Sequence, residues 1–236
     1  MNAPRKVAVM QPYFLPYIGY FQLIASVDSF IIYDNIKYTK KGWINRNRLL
    51  AGGVDQVFSL PLRAGSDSLH VRDRVLADEF QPRKLLDQFS GAYRSAPEFA
   101  RVFPLLERII LHLDRNLFAY ILHSVREICG ELGIRTEIRV SSAVEIDHGL
   151  RHQEKVLALC AATGAAVYVN AMGGTELYSA EDFAARGVEL RFIRSRAIEY
   201  PQFGANFVPW LSIVDVMMFN PPERVRELVS GHYDLI

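Results

Sequence analysis

The sequence predicts an α/β protein with a parallel, Rossmann-like sheet and a helical lobe inserted into it, and three stretches carry that prediction. Residues 6–47 read as strand, tight turn, helix and strand; residues 81–132 hold three helical patterns with no strand between them; strand and helix alternate again from residue 133. A strand–helix–strand crossover requires parallel strands, and ligands of such sheets bind outside the strands' carboxyl ends.

Residues 6–10 form an apolar run of strand length, ended at Gln11-Pro12 because proline has no N–H to give a sheet. Pro16 suits the first turn of a helix, where a missing donor costs nothing, so a helix is expected over 17–26 and a second strand over 29–33, stopping at Asp34. Gln11 and Tyr13 then lie in the turn at the carboxyl edge. Beyond the second strand, Lys37, Lys40, Lys41, Arg46 and Arg48 follow one another with no acid among them, and Trp43, Asn45 and Asn47 stand between. Charge for phosphates, an indole for stacking and amides for hydroxyls suit a phosphorylated ligand with a flat ring. A solvated basic loop is the alternative.

Two short strands, 47–50 and 56–60, are joined through Gly52-Gly53, which accommodate a hairpin's positive φ. Residues 69–76 alternate weakly, as an edge strand would. Helices are expected over 82–93, 97–112 and 116–132, with Pro104 kinking or dividing the second and Gly133 ending the third. This lobe, 81–132, is expected to cover the sheet-edge pocket and exclude water. A strand over 133–140 delivers Ser141-Ser142 to the edge, where serines bind phosphate or simply begin a turn. A helix over 150–163 and a strand over 166–169 restore the crossover and lead to Asn170-Ala171-Met172-Gly173-Gly174-Thr175-Glu176. Paired glycines there either turn the chain or free backbone N–H groups for an anion, with Asn170 and Glu176 placed near substrate. Ser179 caps a helix over 180–186, a strand follows over 188–193, and residues 200–211 form an aromatic loop. Ser212 caps the next helix, whose first turn carries Asp215 in favourable contact with the helix dipole, and a last helix starts at Pro221-Pro222.

QPYFLPYIGYFQLI, the D-x-F-I-I-Y-D stretch from Asp28 to Asp34, the W-x-N-R-N pentad from Trp43 to Asn47, Ser141-Ser142, NAMGGTELY from Asn170 to Tyr178 and LSIVD from Leu211 to Asp215 resemble the WbqC-like family, often encoded in bacterial surface-polysaccharide clusters. That resemblance covers nearly the whole chain and implies glycyl or other acyl transfer to an amino sugar. Under it, Tyr17, Tyr20, Asp34 and Asn170 orient sugar and donor, Asp34 serves as base, and Gly173 and Gly174 stabilise the oxyanion. Pro16-Tyr17-Ile18-Gly19-Tyr20 is also similar to the P-x-H-x-G-H turn of nucleotidylyltransferases, with tyrosines replacing both histidines. A phenol brings no positive charge at neutral pH.

The 236 residues suit one α/β domain carrying the inserted lobe, and a net charge of +1 argues against nucleic acid as a partner. Cys129 and Cys160 fall in apolar helical patterns, as buried thiols of a reducing compartment do, and neither has a neighbour at metal-ligand spacing, so no metal is expected. Met1 to Arg5 is too short and polar for a signal peptide, and no apolar run reaches the roughly 18 residues of a membrane span. A cytoplasmic protein is expected, with a nucleotide sugar and an activated acyl donor as partners; no cofactor is specified. Three functions fit: the acyl transferase, an ATP-dependent ligase or nucleotidylyltransferase, and a non-catalytic nucleotide-sugar-binding protein.

Overall fold

The computed structural model describes residues 3–204 and 206–236; Met1 and Asn2 of the N-terminal segment, and Ala205, lie outside them. Six strands form one sheet in the order β5-β2-β1-β6-β7-β8. They are β1 (Lys6–Met10), β2 (Ser29–Ile32), β5 (Glu137–Val140), β6 (Val167–Ala171), β7 (Glu189–Ser195) and β8 (Tyr233–Leu235). All neighbours run parallel except β7 and β8. From β1 the chain winds outward to β2 and β5, then returns to β6 and winds the other way. The order therefore reverses between β1 and β6, the place where doubly wound sheets open a crevice for ligands. Register fixes what reaches that edge: Met10 pairs with Ile32 and Ile32 with Val140, so Gln11, Asp34 and Ser141 end their strands side by side.

Both faces of the sheet are covered, which is why its central strands read as apolar runs rather than alternations. Val7, Val9, Ile31 and Tyr168 face α5 (His152–Thr163) and α6 (Ala180–Ala185), whereas Ala8, Phe30, Ile32 and Val169 join the larger core on the side of α1 (Ile18–Ala25). That larger core continues without a break through Leu49 and Phe58 of the hairpin β3 (Arg46–Ala51) and β4 (Val54–Ser59). It ends among Phe89, Tyr93, Leu105 and Tyr120 of α2 (Pro82–Tyr93), α3 (Phe99–Ile110) and α4 (Leu117–Leu132). Helices α7 (Ile213–Phe219) and α8 (Pro222–Gly231) complete the chain before β8.

Local chemistry sets the boundaries. The Asn116 side chain accepts from the Ala119 amide at 3.0 Å, Ser212 from Val214 at 3.3 Å, and Gly133 and Gly164 end their helices at φ of 71° and 64°. Two expectations need correction, and one strand was not foreseen. Residues 69–76 contain a 3-10 turn, Val71–Asp73, with isolated bridges from His70 to Lys37, from Leu76 to Leu62 and from Val75 to Asn116, because each neighbour there offers one residue of pairing instead of a ladder. Pro104 leaves α3 in one piece. Strand β8, three residues long, closes the sheet edge and carries too few residues for a readable alternation.

Candidate functional site

The loop from β1 to α1 and the approach to α7 are knotted together by one residue. Ser212, fully buried, donates its hydroxyl to the Leu15 carbonyl at 2.7 Å and its amide to the Arg48 carbonyl at 2.9 Å, while the next amide, Ile213, donates to Pro16 at 2.8 Å. Three distant segments are thereby brought around a cleft of about 210 Å³ lined by Tyr13, Pro16, Tyr17, Trp43, Asn47, Arg48 and Trp210. Four aromatic rings, one amide and one guanidinium make a surface for a flat or sugar ring bearing an anionic group. Trp43 lies under two guanidinium groups, Arg48 at 4.9 Å and Arg46 at 5.5 Å from its ring centre. Trp210, 70% exposed, meets Tyr17 at 6.1 Å between ring centres.

The backbone on both sides of the cleft is strained. Leu15 and Trp210 have φ of 45° and 61°, a region that costs non-glycine residues about 1–3 kcal/mol and persists only where the surroundings impose it. Gly19 leaves room for the Tyr17 ring, which lies over it: a Cβ there would displace that ring from its place in the cleft.

A second group lies along the carboxyl ends of β2 and β5. Asp34, 3% exposed, accepts from the Ser142 hydroxyl at 2.6 Å, the Ser141 hydroxyl at 2.9 Å and the Ser142 amide at 3.0 Å. Burial pushes its pKa up, but these hydrogen bonds outweigh burial and hold it below the usual carboxylate range. Beside it, Asn35 Oδ1 accepts from Ser141 at 2.6 Å and from Lys155 Nζ at 3.1 Å, and Arg72 approaches Asp34 at 3.6 Å.

The WbqC-like protein family matches residues 11–227. The chain belongs to that family. An uncharacterized protein of Mycobacterium tuberculosis, Rv1507c, is 29% identical over 219 residues, covering 92% of this chain and 94% of that one. No solved structure matches. In this WbqC-like chain the QPYFLPY loop and the W-x-N-R-N pentad form facing walls of the cleft, LSIVD supplies the Ser212 knot, and Ser141-Ser142 clamp Asp34.

The residues marked in the sequence separate into three sets. Tyr13, Tyr17, Trp43 and Asn47 line the cleft. Gln11, Asp34, Ser141, Ser142, Asn170, Gly173 and Gly174 lie along the sheet's carboxyl edge. Gln11 Oε1 accepts from Tyr13 at 3.2 Å, and a Cβ on Gly174 would land on the Asn170 amide nitrogen.

The third set is engaged elsewhere. Tyr20 is 2% exposed and its hydroxyl is committed to the Gln11 carbonyl at 2.9 Å, so it packs and holds the turn instead of touching a ligand. Asn45 joins Tyr38 to Leu60, and Arg46 closes its own loop onto Lys41 and Gly42. Lys40 pairs with exposed Asp67, Lys37 stands in the bridge to His70, and Glu176 points from an exposed 3-10 turn. No residue of 81–132 lines the cleft; the lobe packs on the hairpin and on α7 and α8. Arg48, read in the sequence only as one of five cations of the basic segment, and Trp210, which escaped sequence reasoning, complete the cleft. An isolated aromatic in an aperiodic loop carries no signal until folding brings it beside Tyr17.

Proposed function

We propose that the protein transfers an aminoacyl or acyl group to an amino sugar carried on a nucleotide, during assembly of a bacterial surface polysaccharide. The observation that carries this reading is the aromatic cleft beside the carboxyl end of β1, walled by Tyr13, Tyr17, Trp43 and Trp210 and furnished with Arg48 and Asn47. Rings stack on bases and on the apolar faces of sugars, a guanidinium holds a phosphate, and an amide takes a hydroxyl. The sugar amine attacks the acyl carbon of the activated donor, the donor's leaving group departs with the electron pair of the broken bond, and the ammonium proton passes to solvent.

Asp34 is assigned a different task from general base. Both its oxygens already accept hydrogen bonds, and a carboxylate held below its ordinary pKa is a poor proton acceptor. It anchors Ser142 and Arg72 at the rim. The same saturation favours a second reading, a nucleotide-sugar-binding protein without chemistry of its own. Thermal denaturation against ATP, acyl-CoA and uridine- and thymidine-diphospho-amino sugars tests both. A ligand at about 100 times its Kd stabilises by roughly 2.7 kcal/mol. A nucleotide sugar should do so in the wild type and fail in Trp43→Ala; stabilisation by ATP alone would sink the reading. Acylated sugar formed from an acyl donor then separates transferase from binder.

A further inference from the structure

The polar group at the ends of β2 and β5 holds more hydrogen-bond donors than its own acceptors answer. Lys155, on the first turn of α5, is 7% exposed, and among the described residues only Asn35 engages its ammonium, at 3.1 Å. An ammonium has three donors, so two are left without a hydrogen-bond acceptor among the described residues. Its nearest ring is Tyr33, 5.3 Å from the nitrogen. The Arg72 guanidinium, with five donors, makes no side-chain hydrogen bond among the described residues: Asp34 lies at 3.6 Å, and half-exposed Asp73 at 3.9 Å on the solvent side. Asp34 itself is filled by Ser141 and Ser142.

His148 meets the group through Nδ1, 3.0 Å from the Asn35 amide nitrogen, and through Nε2, 3.1 Å from the Val144 carbonyl. Asn35 is oriented by Lys155, whose ammonium requires its oxygen, while Ser141 shares its one proton between that oxygen and Asp34. Burial holds Lys155 below the usual lysine range, Asp34 opposing this and Arg72 adding to it.

We infer that Lys155 and Arg72 form a binding site for an oxyanion, either a carboxylate or a phosphodiester. Two oxygens of such a group meet the free donors of ammonium and guanidinium. The site stands independently of the nucleotide-sugar reading, because its residues are separate from those lining the aromatic cleft.

Acetate and dimethyl phosphate, titrated at constant ionic strength while the Ser142 amide is followed by NMR, test it. One of the two should shift that resonance saturably, and the one that does identifies the source of the oxyanion. Lys155→Met, which removes a buried charge at similar volume, and Arg72→Gln at the rim should each weaken binding by about tenfold, the equivalent of one charge-assisted hydrogen bond. Trp43→Ala should bind the probe as the wild type does. A shift that never saturates, or that survives in folded Lys155→Met and in Arg72→Gln alike, overturns the inference.

Discussion

Asp34 and Asp215 are both buried carboxylates that accept three hydrogen bonds, yet the protein moves their pKa values in opposite directions. Asp34 at the sheet rim is held low by its serines, against burial. Asp215, fully buried in the first turn of α7, accepts from Tyr200 at 2.7 Å, Gln202 at 2.8 Å and Tyr93 at 2.9 Å, and burial still wins, holding it above the usual range. Donor count is equal; surroundings differ. Ser142 gives Asp34 both a backbone and a side-chain donor. Asp215 has side-chain donors only, the Gln202 amide and two phenols that burial and Asp215 itself push far up their own scale. The first arrangement suits a rim that meets charged ligands. The second suits a joint: Tyr93 takes the Leu50 amide at 2.8 Å, so Asp215 ties the hairpin and α2 to the segment leading to Trp210.

The largest effect should come from Asp34→Asn. Removing the charge takes the buried carboxylate from Lys155 and leaves Arg72 with half-exposed Asp73 alone; breaking a buried pair costs about 3–5 kcal/mol, the lower end applying because Arg72 is half-exposed. A lowered folded pKa contributes stability above the unfolded value near 3.9 and loses it as pH falls through the folded value. Urea unfolding should therefore show the wild type's advantage over Asp34→Asn growing from pH 2 to pH 5.

Asp215→Asn should cost less, about 1–3 kcal/mol, since one donor is left facing an amide N–H. Its pH slope should be opposite. A raised folded pKa contributes stability below the unfolded value and loses it as pH rises through the folded one, so the wild type's advantage should shrink from pH 4 to pH 7. Parallel slopes in the two variants would show that the contrast between these carboxylates is wrong.

The framework was legible because it rests on periodicity and punctuation. Pro12, Pro16, Gly133 and Gly164 mark turns in any context, and apolar runs of strand length between helices leave few topologies. Site residues were legible where they closed strands: Gln11, Asp34, Ser141 and Asn170 reach one edge because parallel register carries them there. The basic segment misled. Five cations in a row suggested a ligand, but Arg46 and Lys40 serve the loop's own carbonyls and an exposed aspartate, and Arg48 alone reaches the cleft. Lys155 gave no sign at all. A lysine in an amphipathic helix reads as solvated, and only the crossing of α5 over Asn35 buries it.

The smallest stability effects should fall on the cleft, where the comparison becomes one between holding and binding. Gly19→Ala gains about 0.5–1 kcal/mol of helix preference but drives a methyl into the Tyr17 ring, so nucleotide-sugar affinity should fall about tenfold while stability barely changes. Trp210→Gly sharpens this further. The indole is 70% exposed, so little burial is lost, and glycine adopts a φ of 61° without the penalty tryptophan carries. Stability should stay level or rise by about 0.5–1 kcal/mol. If that ring stacks on the ligand, calorimetric titration of the variant should show affinity reduced by about 1–3 kcal/mol, the range found for aromatic platforms under a base. Higher stability with lost affinity would mean the strain at Trp210 is held in place for binding. Lower stability with unchanged affinity would mean that Trp210 serves the same packing role as the Asp215 joint, and that Tyr13, Tyr17 and Trp43 alone form the ligand's platform.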